Sequence, residues 1–317
     1  MLPDKWTNNF DPTKWDYYIA SFNGHPLQSA LWGEARKSID RIESQYFCHF
    51  SNDDTPDFMA RVETRSIKGV GSVAWIPKGP VVSSSTPCLI NEFKEILKKN
   101  KYKLLITDEY SLSTETSSEN IETIFIDLAK NSDTLFSNLD KQWRYGVRRA
   151  QKEGVKLSRD QSENKVAEFF KLCQKISESK SFELPGSLEL INHLLSHSFD
   201  EKVKFELVSA EFENNIISGA VIAKSGKHLH YFWGASDRNF PKLRGGEAVQ
   251  WEIIETGAKD NFERYDLEGI DRINNPGVFA FKKKMGGDIV NLVGKQYIPL
   301  NTIGTILKIA GRIFNRI

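Results

Sequence analysis

Between His228 and Gly287 the chain gathers the residue types that could hold an anion. An aromatic strand, His230-Tyr231-Phe232-Trp233, passes through Gly234-Ala235-Ser236 into a loop carrying Lys242, Arg244, Gly245 and Gly246. A helix follows at once, with Ala248, Trp251, Ile254 and Ala258 at the spacing of a buried stripe. Strand, glycine loop and helix in that order leave backbone N–H groups free at a helix N-terminus, where negative charge is stabilised. A short strand around Tyr265-Asp266-Leu267 comes next, then a turn at Glu268-Gly269-Ile270-Asp271, then Phe281-Lys282-Lys283-Lys284-Met285-Gly286-Gly287. Three cations ahead of a double glycine read either as a solvated loop or as a second anion-binding run.

Such a stretch needs a scaffold, and composition bounds what that scaffold can be. A chain of 317 residues is long for one domain and predicts two, each with a real core given 39% hydrophobic and 11% aromatic residues. The 43 Lys and Arg against 42 Asp and Glu leave a net charge of +1, so any nucleic-acid surface must be local. Cys48, Cys88 and Cys173 are far apart and form no CxxC, which argues against a disulfide scaffold and a zinc site. His228 and His230 alternate on one strand with no third ligand near in sequence, so no metal is expected. No signal peptide opens the sequence and no run reaches the ~20 apolar residues of a membrane span, which predicts a cytosolic protein.

The positioning elements can be read in order. Pro26-Leu27-Gln28-Ser29 leads into a helix holding Trp32 and Arg36 on one face, with Ser29 as its N-cap. Strands are predicted over 59–66 and 69–76, closed by Pro77-Lys78-Gly79-Pro80, followed by a helix over 91–100, a strand over 103–107 running into Asp108, a polar loop over 111–120 and a strand over 121–128. Residues 139–154 form a helix with Lys141, Arg144, Arg148, Arg149 and Lys152 on a basic face, either solvated or in contact with phosphates. Helices over 164–180 and 187–198 and strands over 205–212, 216–224 and 229–234 complete a second half whose plan loosely repeats the first. The tail, 301–317, is a basic amphipathic helix that either packs on a domain or lies on an anionic membrane.

Taken together, Leu27-Gln28-Ser29 with Trp32 and Arg36, Pro77-Lys78-Gly79-Pro80, Ile106-Thr107-Asp108, the helix from Arg144, Trp251, Tyr265 to Ile270 and Phe281 to Gly287 resemble the Fem family of aminoacyl-tRNA-dependent peptidyltransferases. The resemblance runs from about residue 15 to 300. It implies an α+β protein of two GNAT-like acyltransferase domains in tandem, with mixed sheets flanked by helices: 1–153 for a peptidoglycan precursor, 154–300 for the aminoacyl end of tRNA, and 301–317 as a helix returning to the first domain. It implies Lys282, Tyr265 and Asp108 as catalytic residues. Arg36, Arg244, Trp32 and Tyr231 fall to the substrate, and Lys283, Lys284, Arg148 and Arg149 to the tRNA. No cofactor is implied beyond aminoacyl-tRNA as co-substrate, and the tail leaves contact with the inner face of the membrane open.

The loop Arg244-Gly245-Gly246-Glu247-Ala248 departs from the family and approaches the glycine loop by which acetyltransferases bind coenzyme A, so a CoA thioester is the alternative donor. Either donor requires a neutral amine to attack an activated carbonyl. An amine with an ordinary pKa of ~10 is neutral only about one part in a thousand at pH 7, so proximity must carry much of the rate.

Overall fold

The computed structural model describes residues 2–51, 55–83, 87–113, 121–180, 184 and 186–314. Two compact units emerge, one formed by Met1–Ile121 with Asn291–Ile317 and the other by Glu122–Val290. The expected boundary at 153/154 therefore falls inside the second unit.

Unit 1 begins with β1 (Trp6–Thr7), α1 (Pro12–Ser21), α2 (Ala30–Asp40), β2 (Ser44–His49), β3 (Phe58–Ile67), β4 (Gly71–Ile76), β5 (Val81–Val82), α3 (Pro87–Lys99) and β6 (Tyr102–Leu112). Strands β2, β3 and β4 are antiparallel neighbours, and α3 carries the chain over to β6, which lies parallel to β4. The apolar face of α3, Leu89, Phe93, Ile96 and Leu97, is buried against Phe47, Phe58, Val62 and Ile76 of the sheet. Asp16 and Ser29 together satisfy the first turn of α2: the Asp16 carboxylate accepts from Ala30 and Leu31 N–H, and Ser29 Oγ accepts from Trp32 N–H at 3.0 Å.

Unit 2 repeats this plan. It contains β7 (Ile121–Asp127), α4 (Ser132–Asn138), α5 (Lys141–Lys152), β8 (Lys156–Ser158), α6 (Glu163–Lys180), α7 (Leu188–Ser196), β9 (Val203–Phe212), β10 (Asn215–Ser225), β11 (His228–Ser236), α8 (Gly245–Lys259), β12 (Arg264–Asp266) and α9 (Pro276–Lys283). Strands β8 to β11 form an antiparallel run, with Glu213 and Asn214 both at positive φ in the β9–β10 turn. Helix α8 then crosses to β12, parallel to β11. The core gathers Trp143 and Val147 of α5, Val249, Ile253 and Ile254 of α8, and Ile222, Leu229 and Tyr265 of the sheet. That packing is why α5 belongs here and not with the first half.

Each sheet is completed by a strand from beyond its own run. In unit 2, β7 pairs antiparallel with β12. The last strand, β13 (Asp288–Pro299), pairs antiparallel with β6 of unit 1 through Leu292–Pro299, and α10 (Thr302–Phe314) follows, its Leu307 packed on the Val73, Leu104 and Ile106 cluster of unit 1. The fold class is the expected one, α+β with mixed sheets flanked by helices.

Two short helices escape the sequence reading. Helix α4 precedes the basic helix, which starts only at Lys141, and α9 occupies much of the stretch read as a lysine loop. Most of the polar loop expected over 111–120 lies outside the described residues, but its first two residues finish β6. Cys48, Cys88 and Cys173 are free, and burial pushes the Cys48 and Cys173 thiols up to about 12.

One buried network ties the motifs of unit 1 together. Arg61 is fully buried; its guanidinium donates to the Leu27 carbonyl at 2.6 and 2.8 Å, to Ser44 Oγ at 2.7 Å and to Glu63 at 3.0 Å. Gln28 accepts from Arg61 N–H at 2.9 Å and donates to the Pro77 carbonyl at 2.6 Å, which fixes the Pro77–Pro80 loop. Replacing Arg61 by alanine strands the Glu63 carboxylate in the interior and is expected to cost about 3–5 kcal/mol, read as a lowered denaturation midpoint. Arg61→Lys, lacking the planar fork, should restore only part of it.

Candidate active site

In unit 2 the parallel pairing of β11 with β12 lasts three residues, from His228↔Arg264 to His230↔Asp266. Beyond His230, β11 runs on to Ser236 without β12 beside it. A bulge falls at the same point: Val221 faces Trp233 and Ile222 faces Tyr231, so Phe232 is the extra residue. Bulges re-aim side chains and loosen a ladder, and here the two strands part. The gap is a cleft of about 380 Å³ walled by Tyr231, Gly234, Ser236, Gln250, Val249 and Phe281, with Ser218 and Gly219 at its back. Gly234 is required by close approach, since a Cβ there would run into the Tyr231 hydroxyl.

Gln250 organises this cleft. It is buried on α8, its Oε1 accepts from the Tyr265 hydroxyl of β12 at 2.8 Å, and it lines the cleft together with Tyr231 of β11. Burial, first of all, pushes both phenols well above their ordinary value, so both stay protonated as donors. Tyr265 is fully buried with its proton donated to Gln250, whereas Tyr231 lines the cleft with its hydroxyl packed close to Gly234. Sequence reasoning missed Gln250, although a polar residue at a stripe position between Gly246, Val249, Ile253 and Gly257 was the available signal.

Lys282 turns inward. It is 6% exposed and donates to the Glu268 and Gly269 carbonyls at 3.1 and 2.9 Å, with its ammonium 5.7 Å from the centre of the Tyr231 ring. Burial depresses its pKa, opposed by the nearby Glu268 and Asp266 carboxylates. It thus fastens the end of α9 to a turn in which Glu268 has a positive φ. Asp266 holds the same turn by accepting from Glu268 N–H at 2.7 Å. Because Lys282 and Lys283 end a helix, their setting offers carbonyls to cations, not N–H groups to anions. Lys283 is exposed, and Lys284 donates to Gln142 at 3.1 Å.

The other candidates are dispersed. Arg244 takes a positive φ at the N-cap of α8, 3.3 Å from Glu247, whose carboxylate sits in the first turn of that helix against Gly146 of α5. An acidic residue already complements that N-terminus, which opposes a pyrophosphate there. On α5, Arg144 caps the end of α4 through the Ser137 and Leu139 carbonyls, and Arg149 meets Tyr145 and Glu153. Arg148 is exposed and lies over the Phe136 ring.

In unit 1, Asp108 is buried with Oδ2 3.7 Å from Lys78 Nζ and Oδ1 lacking a hydrogen bond. Lys78 and Glu109 line a cleft of about 490 Å³ together with His25, Tyr110 and Ser83. Trp32 is buried in the first turn of α2, and Arg36, one turn on, pairs with Asp40. Arg36 does not line that cleft but adds to the burial that depresses Arg65, whose guanidinium lies 3.8 Å from the Trp75 ring.

The model of the FemAB family matches residues 107–216 and 187–304, well over half of the chain. The chain belongs to the FemAB family. Among curated proteins it is 27% identical over 94 residues to Aminoacyltransferase FemB of Staphylococcus epidermidis, covering 28% of this chain, and 29% identical over 94 residues to Aminoacyltransferase FemA of Staphylococcus aureus, covering 26%. The matched segment spans 22% of the length of each of these relatives. The crystal structure of FemX superposes with a TM-score of 0.80 at 16% identity, covering 98% of this chain and 100% of that one. L-PGS from Bacillus licheniformis gives 0.59 at 13% identity, covering 97% and 98%. At these identities the superpositions establish a shared fold.

Two outcomes test this geometry. Gln250→Leu leaves the buried Tyr265 hydroxyl without its acceptor and should cost about 1–3 kcal/mol, while Gln250→Leu with Tyr265→Phe recovers much of the loss in a double-mutant cycle. Glu268→Gln removes a charge that favours the ammonium, so the Lys282 pKa should fall further, read by NMR titration of its Cε resonance.

Proposed function

We propose that the chain is an aminoacyltransferase that moves an amino acid from aminoacyl-tRNA onto a stem-peptide amine of a peptidoglycan precursor. The observation that carries this reading is the cleft beside β11, where a protonated Tyr231 lines a space opened by the parting of two parallel strands. Membership of FemAB and the names of its relatives, aminoacyltransferases, support the donor as an aminoacyl ester. Glu247 in the first turn of α8 speaks against the acyl-CoA alternative, because a pyrophosphate would meet a carboxylate where it needs N–H groups.

The reaction joins the acceptor nitrogen to the ester carbonyl carbon, breaks the bond from that carbon to the ribose oxygen and returns a proton to that oxygen. As the carbonyl becomes tetrahedral its oxygen gains negative charge, and Tyr231, which lines the cleft, is the donor assigned to meet it. Lys282 acts through position: it holds the 268–269 turn and presents its charge to the Tyr231 ring, which favours the phenol as a donor. Tyr265 anchors Gln250. On the acceptor side, Arg36 with Arg65 beside it is suited to a phosphate of the precursor, and Asp108 with Lys78 to orienting a peptide amine. Exposed Arg148 and Lys283 remain available to tRNA phosphates.

Incubation with charged tRNA and a muramyl pentapeptide should yield a new amide detectable by mass spectrometry. Tyr231→Phe should lower kcat by about 10²–10³-fold, the usual loss for one oxyanion donor. Turnover with an acyl-CoA and none with any charged tRNA would reject the reading.

A further inference from the structure

We propose that α10 is a docking face for an anionic membrane surface. The helix packs on unit 1 along one side only, where Gly304 approaches the Lys103 carbonyl too closely to admit a Cβ and Leu307 joins the cluster of Val73, Leu104 and Ile106. Its outer side carries Ile303, Ile306 and Ile309, exposed by 39%, 63% and 57%. Residues three apart on a helix are neighbours, so the three isoleucines make one continuous apolar row. A row of this kind, rimmed by polar residues, marks an interaction surface.

Charge selects the occupant. From 289 to 317 the sequence holds Lys295, Lys308, Arg312 and Arg316 and no aspartate or glutamate. The sheet beneath α10 adds Lys103, the strand that continues into Leu104, and Arg65 over the ring of Trp75, itself packed on the same cluster as Leu307. An apolar row on a segment whose only charged residues are cationic is drawn to acidic headgroups, and its isoleucines then enter the boundary between headgroups and acyl chains. A second copy of the chain offers the opposite: two cationic helices brought face to face repel. Among the described residues no helix is long and apolar enough to cross a membrane, so the contact is lateral. This inference does not rest on the transfer reaction.

Sedimentation of the full chain with vesicles tests it directly. The protein should co-sediment with vesicles containing phosphatidylglycerol, release as salt rises, and stay in solution with phosphatidylcholine alone. I306S/I309S should reduce partition into the anionic vesicles by roughly tenfold or more with an unchanged melting temperature, since both side chains already face water. Lys308→Glu, which leaves the apolar row intact, should weaken binding to anionic vesicles as well. Equal binding to both vesicle types, or an I306S/I309S variant that binds like the parent, overturns the proposal. So does a dimer in sedimentation velocity that I306S/I309S dissolves, which would give the face to a second copy.

Discussion

A single side-chain amide holds unit 2 in its working geometry. Gln250 lies on the crossover helix α8 and Tyr265 on β12, so the one group pins the helix to the short strand at the point where β11 and β12 separate. Parting strands leave polar backbone exposed, and a helix laid across them needs a polar contact that water cannot replace. The amide meets that need, and it engages the Tyr265 proton inside the unit. Lys282 reinforces the arrangement from the far side by gripping the turn that follows β12.

Unit 1 reaches a comparable shape by different means. There the crossover through α3 is apolar, and the polar bond is made at the loop after β4, where Gln28 and Arg61 fix Pro77 and with it the start of the cleft lined by Lys78. The two units share the order of antiparallel strands, helix, parallel strand and antiparallel closing strand. They share little of the chemistry that holds it. A common plan with separate polar fastenings fits two sites that hold different things.

Much of this was legible in the sequence where apolar spacing carried the information. The stripes of α3 and α8, the Ser29 and Ser187 caps and the β9–β10 turn all follow from local rules, and the structure has them. What escaped was decided by partners distant in the chain. The short strand read at Tyr265 is present as β12, but its place between β11 and β7 was not legible, and α5 joins unit 2 because Trp143 and Val147 find α8 and its surroundings. The resemblance set Lys282 apart from Lys283 and Lys284, but its burial was not read; Asn275-Pro276, with proline at the first helical position, signalled the α9 that buries it. Arg61 and Glu63, two charges on one face of a buried strand, were the corresponding signal in unit 1.

The path of the chain between the units has a consequence for its biogenesis. Strand β13 and helix α10 belong to unit 1 yet come after all of unit 2, while β7 leaves the first run to close the second sheet. During synthesis from the N-terminus, the sheet begun first must wait with the edge of β6 open until residues 292–299 have emerged, whereas the later sheet has every strand to hand sooner. Completion of the first unit therefore waits on the end of translation, and a nascent chain stalled anywhere short of β13 carries the edge of β6 unguarded.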